Sequence, residues 1–378
     1  MTDNPATHGV HIVSSKAQIK EFVLFPYNHY QNEPHWVAPL LMDEKKLVDT
    51  KNNPIYENIE AAFFIAEKNG VICGRIAAFN NHVYADYHKE NVGFFGMFEC
   101  IDDQAVASLL FKVATDWLIE KGRTSILGPF NPTMLETLGI LTEGFDKDPV
   151  IMMPYTKPYY PKLIEGAGFE KAMDLFTYYV DKEMVNFERV EKASDLIMRR
   201  TEGLSIRFCE KKHYDREIAI FREIFNKAWS KNWGFQPVSE KVFANLAKEL
   251  KPILEEDLAV IAYVKDVPVG FSIAIPDYNF ALKKINGRLL PFGIFKLLYL
   301  RRKITKIRIA LMGIIPEYQG KGIDVIMHKE AIVNGIRRGY RSAELGWVLE
   351  SNINMVRLAE RMGAVLDKKY RIYGKSIG

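Results

Sequence analysis

The feature that most limits how this chain can fold is that it repeats itself. LIEGAGFEKAMDLFTYYV (from Leu163) and LAERMGAVLDKKYRIYGK (from Leu358) align without gaps. Leu163 meets Leu358, Glu165 meets Glu360, Gly168 meets Gly363 and Tyr178 meets Tyr373. Earlier, FFIAEKNGVICGRIAAF (from Phe63) lies over AVIAYVKDVPVGFSIAI (from Ala259), with Ala66 on Ala262 and Gly74 on Gly270. Gly96 and Gly122 have the same spacing as Gly313 and Gly339, and Tyr30 and Trp36 correspond loosely to Trp229 and Trp233. Three matches in one order at nearly one offset predict two copies of one fold. The boundary is expected near residues 182–191, giving a first domain over 1–185 and a second over 186–378. A length of 378 residues suits two domains. Insertions distinguish the copies, around residues 147–160 in the first and 280–308 in the second.

Periodicity gives the second copy the order α-α-β-β-β-α-β-α-β. Ile220, Phe221, Ile224 and Phe225 share one helical face, and Ser239 is placed to cap a second helix. Two β-rich runs flank a tight turn at Lys265 and Asp266. IRIALMGIIP reads as a buried strand, residues 321–338 as a helix, SAELGWVL as a strand, NMVRLAERM as a short helix and KKYRIYGK as a last strand. Such alternation implies an α/β fold, a central sheet with helices on both faces.

Three widely spaced cysteines (Cys73, Cys100, Cys209) without a CxxC argue against a disulfide framework or a zinc site, so no metal is expected. The polar start MTDNPATHGVHIVSS lacks the apolar core of a signal peptide, and no uncharged apolar run spans a bilayer. A cytoplasmic location is expected.

The most informative segment is IRIALMGIIPEYQGKGIDVIMHKEAI. A buried strand ends at Pro316, then Gln319-Gly320-Lys321-Gly322-Ile323 leads directly into a helix. Glycines at such a turn let backbone N–H groups approach a ligand, and the helix N-terminus adds positive potential. Lys321 strengthens a site for a pyrophosphate or similar anion. The spacing is neither the dinucleotide-binding GxGxxG nor the P-loop GxxxxGK[ST].

On these residues the sequence resembles the GNAT superfamily of acyl-CoA N-acyltransferases. That family places Gln/Arg-x-x-Gly-x-Gly/Ala before its long helix, and here the text is Gln319-Gly320-Lys321-Gly322-Ile323-Asp324. The family's later Asn-containing helix matches Asn352 through Gly363. The resemblance implies two tandem GNAT-like domains, each with a mostly antiparallel mixed sheet. It implies acetyl-CoA or a longer acyl-CoA as co-substrate, its pyrophosphate on Gln319, Gly320, Lys321, Gly322 and Ile323, with Asn352 nearby. Pantetheine would run beside a splayed strand at Met312, Gly313 and Ile314. Trp229, Asn232 and Trp233 fall where the family shapes its acceptor pocket. Two positions depart from the pattern: Asp324 stands at the last motif position, and Ala359 stands where the family often has a Tyr general acid.

Pairing Gly96 with Gly313 puts Asp102, Asp103, Gln104 and Ala105 on Gln319 to Gly322. Two acids where phosphates would sit argue that the first domain keeps the fold and not the cofactor. In the second domain, direct attack by an amine needs a base, oxyanion donors and an acid for the leaving thiolate. Strand alternation puts Glu344 and Glu350 on one face of SAELGWVLE, with Glu350 at its carboxyl end. Glu350 and Glu344 are the candidate bases, and Tyr373 or Tyr370 a candidate acid.

The insert from Lys283 to Arg308 carries nine Lys/Arg and no acid, interleaved with Leu, Ile, Phe and Tyr. It suits an interfacial helix on anionic lipid at the inner face of a membrane, a lid over a long acyl chain, an acyl-carrier contact, or a plain solvated helix. Nucleic acid is not expected as a partner, since no recognition motif accompanies the charge. Three readings follow. The first is acyl transfer from a CoA thioester to a small amine. The second is a lipid N-acyltransferase like the bacterial ceramide synthases, which MGIIPEYQGKGID and ELGWVLESN resemble, acting on a long-chain base. The third is a non-catalytic acyl-CoA-binding or regulatory protein. Either a monomer or a homodimer is compatible with a tandem pair.

Overall fold

A computed structural model describes residues 8–378. Its strands, in chain order, are β1 (His8–Ile12), β2 (Ile59–Lys68), β3 (Val71–Asn81), β4 (Val92–Cys100), β5 (Ser125–Gly128), β6 (Ile140–Glu143), β7 (Glu170–Asp181), β8 (Leu204–Phe208), β9 (Ala259–Val264), β10 (Val267–Pro276), β11 (Lys306–Ile314), β12 (Ser342–Leu349) and β13 (Val365–Ser376). The chain forms two compact units that are not consecutive in sequence. One holds residues up to 175, 281–298 and 368–378, the other residues 176–280 and 299–367.

The sheet of the first unit runs β1-β2-β3-β4-β5-β13. Only β4 and β5 pair in parallel, and the remaining pairs are antiparallel. In the second unit the order is β8-β9-β10-β11-β12-β7, and β11 and β12 pair in parallel. The duplication is therefore structural: strand for strand, the two orders coincide. The last place in each sheet, however, is filled by the other repeat's terminal strand. That is why residues 368–378 fall in the first unit and the second begins at residue 176, where the sequence reading expects a single cut after residue 185.

Local chemistry accounts for the elements. Asn69 and Gly70, at φ 54° and 76°, close the β2–β3 hairpin, and Lys265 and Asp266, at φ 49° and 64°, close β9–β10. Both are two-residue turns with positive φ, which suit the right-handed twist of their strands. The Gln104–Glu120 helix buries Val106, Leu110, Ala114 and Leu118 at four-residue intervals against the first sheet. The second unit has its own core, built on Ile307, Ile309, Ala343, Leu345, Val348 and Ala359.

Two elements escape the periodicity reading. The Phe187–Arg200 helix falls in the text expected to be a polar boundary. It is capped by Asn186 and buries Ser194, with Val190 partly buried against the second unit's core, on a short apolar face whose flanking charges make the text read as polar. β8 is a five-residue strand with a single buried residue, Leu204.

Candidate active site

Three features of the second unit converge beside β11. The first is a divergence of strands. β11 pairs with β12 only from Lys306 to Ile309, against Ser342 to Leu345. Its pairing with β10 continues to Ile314, with a one-residue bulge that leaves Ala310 without an opposite number. Beyond the bulge, β11 follows β10 and leaves β12. Ile315 N–H donates to Val269 O at 2.9 Å. By alternation the backbone groups of Met312 and Ile314 face the opening rather than β10.

The second feature is the loop that leaves this strand. Gln319 Nε2 donates to Ile314 O at 2.9 Å, pinning the loop to the strand end. Gly320 and Gly322 take φ of 72° and 84°, conformations that L side chains rarely adopt. Gly322 is the N-cap of the Ile323–Arg337 helix and offers no side chain to cap it. The N–H groups of Gly320, Lys321, Gly322, Ile323 and Asp324 meet no acceptor among the described residues. A fifteen-residue helix thus begins with a run of open donors at the positive end of its dipole. Lys321 is exposed, its ammonium 4.4 Å from the centre of the Tyr318 ring. Ile323 is buried and anchors the first turn.

The third feature is aromatic. Trp229 Nε1 donates to Met312 O at 2.8 Å, and its ring lies 4.8 Å from that of Phe225. Asn232 and Trp233 follow in the turn that Asn232 N–H closes onto Trp229 O. Both are half-buried.

The structure therefore brings together Met312, Gly313, Ile314, Gln319 to Ile323 and Trp229. Asn352 is the N-cap of the Ile353–Arg361 helix, its Oδ1 accepting from Met355 N–H at 3.3 Å. Glu350 follows the end of β12 and is half-buried. Glu344 is buried in mid-strand opposite Arg308, whose guanidinium donates to Gly346 O at 3.1 Å. Ala359 packs in the core of its unit, so the usual Tyr hydroxyl has no counterpart on that helix face. Tyr373 and Tyr370 lie on the part of β13 that belongs to the first unit. Tyr373 is a core residue there, and its hydroxyl donates to Glu165 Oε1 at 3.2 Å. Burial pushes that phenol well above its usual range. Asp324 has His328 one helical turn on. Burial pushes the His328 imidazole below its usual range, opposed by the Asp324 carboxylate. Of these features, the bulge at Ala310 carries no signal in the sequence.

A family model described as "Acetyltransferase (GNAT) family" matches residues 218–364, the part of the chain that carries all three features. The chain belongs to the GNAT superfamily, with two GNAT-like units in tandem, and is an N-acyltransferase. It is 35% identical over 371 residues to protein YghO of Escherichia coli, covering 96% of this chain and 94% of that one. It is 33% identical over 378 residues to a bacterial ceramide synthase of Caulobacter vibrioides, covering 97% and 96%. Among solved structures it resembles a tandem GNAT protein from the clavulanic acid biosynthesis pathway, at 8% identity and a TM-score of 0.58, over 98% of this chain and 99% of the other. A GCN5-related N-acetyltransferase from Sphaerobacter thermophilus gives a TM-score of 0.51 at 12% identity, over 98% and 96%.

Proposed function

We propose that the second unit binds an acyl-CoA and transfers its acyl group directly to the amine of a long-chain lipid base. The observation that carries the reading is the run of open N–H donors from Gly320 to Asp324, beside a strand that has parted from its neighbour. A pyrophosphate accepts from such a run, and Lys321 adds a mobile positive charge. The outward amides of Met312 and Ile314 then lie along the pantetheine and face the thioester carbonyl, where they stabilise the oxyanion as it forms. The amine nitrogen bonds to the carbonyl carbon, the carbon–sulfur bond breaks, and the thiolate leaves and takes up a proton. We assign removal of the amine proton to Glu350, at the carboxyl end of β12. Glu344, buried opposite Arg308, is assigned to holding that strand.

The lipid acceptor is favoured over a small polar amine by the near full-length similarity to a protein named bacterial ceramide synthase. A matched panel tests it: acetyl-, butyryl- and palmitoyl-CoA, each with a long-chain base and with small polyamines, following thiol release and amide formation. The expected result is amide formation with the long-chain base, and a drop in kcat on the order of 100-fold in Glu350→Gln. Turnover confined to small amines would overturn the lipid acceptor. An unchanged kcat in Glu350→Gln would overturn its role as base.

A further inference from the structure

Between Asp277 and Glu317 the chain contains no acidic residue. Within that stretch the Gly293–Leu300 helix buries none of its residues. Phe295, Leu298 and Tyr299 stand at i, i+3 and i+4, on one face, and are 69%, 43% and 61% exposed. Just before the helix, Leu290 and Phe292 are 80% and 79% exposed. Scattered apolar side chains on a surface need no explanation, but five large ones in ten residues form a patch. Around them, Lys284, Arg288, Lys296, Arg301, Arg302 and Lys303 are exposed.

The segment is not a loose tail. Gly287 O accepts from Leu41 N–H at 3.0 Å. Lys283 Nζ bonds both oxygens of Asp148 at 2.7 and 2.6 Å. Ile285 is buried. Its base is fastened to the first unit while its aromatic face is left to solvent.

We propose that residues 288–303 are a docking surface for a bilayer that contains anionic phospholipid. The aromatic and leucine side chains enter the interface, and the basic residues on either side meet the headgroup phosphates. The helix is far too short to span a bilayer, so the contact lies in the plane of one leaflet. Charge alone would suit an acidic carrier protein equally. Leu290, Phe292, Phe295 and Tyr299, all exposed within ten residues, favour lipid, since a carrier contact dominated by ion pairs needs no such apolar side chains. The inference goes beyond the transferase reading and stands without it, because vesicle binding requires neither donor nor acceptor.

Sedimentation of the full chain with phosphatidylcholine vesicles, with and without phosphatidylglycerol, tests it. The wild type is expected to pellet with the anionic vesicles, to stay in solution with the neutral ones, and to be released by high salt. The double variant Phe292→Ser/Phe295→Ser should lower the partition coefficient by about tenfold or more. These side chains touch solvent, so its thermal midpoint should not move. Arg301→Glu/Arg302→Glu should also bind more weakly, with a flatter salt dependence. Wild-type protein left in the supernatant with anionic vesicles would overturn the proposal. So would wild-type partitioning by a folded Phe292→Ser/Phe295→Ser chain, or capture of an acidic acyl-carrier protein in place of vesicles.

Discussion

The Gln104–Glu120 and Ile323–Arg337 helices each follow the fourth strand of their own sheet, yet they begin in opposite ways. Gly74 pairs with Cys100 and Gly270 with Ile314, so these two strand ends are equivalent. From Cys100 the first unit reaches its helix cap, Asp103, across residues 101–102. The second unit takes residues 315–321 to reach Gly322. Asp103 Oδ1 accepts from Ala105 N–H at 2.9 Å and Val106 N–H at 3.4 Å, and its other oxygen accepts from Lys68 Nζ at 2.8 Å. The chain's own carboxylate thus occupies the place an anion would take. Beside the bulged part of β4, Asn131 Oδ1 accepts from Met97 N–H at 2.6 Å, so that strand's opening is filled as well. The contrast lies in who supplies the acceptors for the helix's first amides: a carboxylate of the chain in the first unit, and no described group of the chain in the second. On this basis we propose that the first unit is the non-binding member of the pair.

The sharpest way to break this comparison is at Gly322. A Cβ there would lie 2.7 Å from Ile197 Cδ1, at a φ of 84°. Gly322→Val should lower CoA affinity by at least about 100-fold, through backbone strain of roughly 1–3 kcal/mol and displacement of the open amides. Gly320 has a positive φ but no neighbour within 4 Å, so Gly320→Ala should cost only about fivefold. Equal losses in the two variants, read by calorimetric titration, would deny a steric role to the Ile197 contact.

A second test concerns the exchanged strand that completes the first sheet. Burial alone would push the Asp174 carboxyl up, but hydrogen bonds and ion pairs from Arg371, Lys171 and Lys369 overcome it and hold its pKa at about 2. A carboxylate lowered on folding stabilises the native state above its unfolded pKa, and that contribution disappears as pH falls through the folded value. About 2 kcal/mol should therefore be lost between roughly pH 4 and pH 2. In Asp174→Asn this part of the acid slope should vanish, as followed by denaturant unfolding across that range.

The smallest effect expected is at the closed helix. Asp103→Ala removes a cap and should cost about 1 kcal/mol of stability. It should create no CoA site, because the intervening loop is absent and Asn131 still fills the strand opening. A second binding event in the titration of Asp103→Ala would mean that the carboxylate alone had kept the first unit empty.

Much of this was legible in the residues. Glycines with positive φ, a strand ended by proline and an amphipathic run after it mark the loop, because local backbone demands write themselves into composition. The identical spacing of Gly96–Gly122 and Gly313–Gly339 misled by three positions. Sheet register equates Gly313 with Glu99, so the first unit lacks the loop rather than carrying an acidic copy of it. Nothing local announces the exchange of β7 and β13, since a strand's pattern records that one face is buried and not which sheet buries it. Tyr373 illustrates the consequence. It matches Tyr178 in the repeat, but its hydroxyl serves Glu165 in the first unit.

The most direct test is to count CoA molecules bound per chain by titration of the full-length protein. One per chain is predicted for the wild type and none for a folded Gly322→Val. Two per chain, or one that survives Gly322→Val unchanged, would contradict the account.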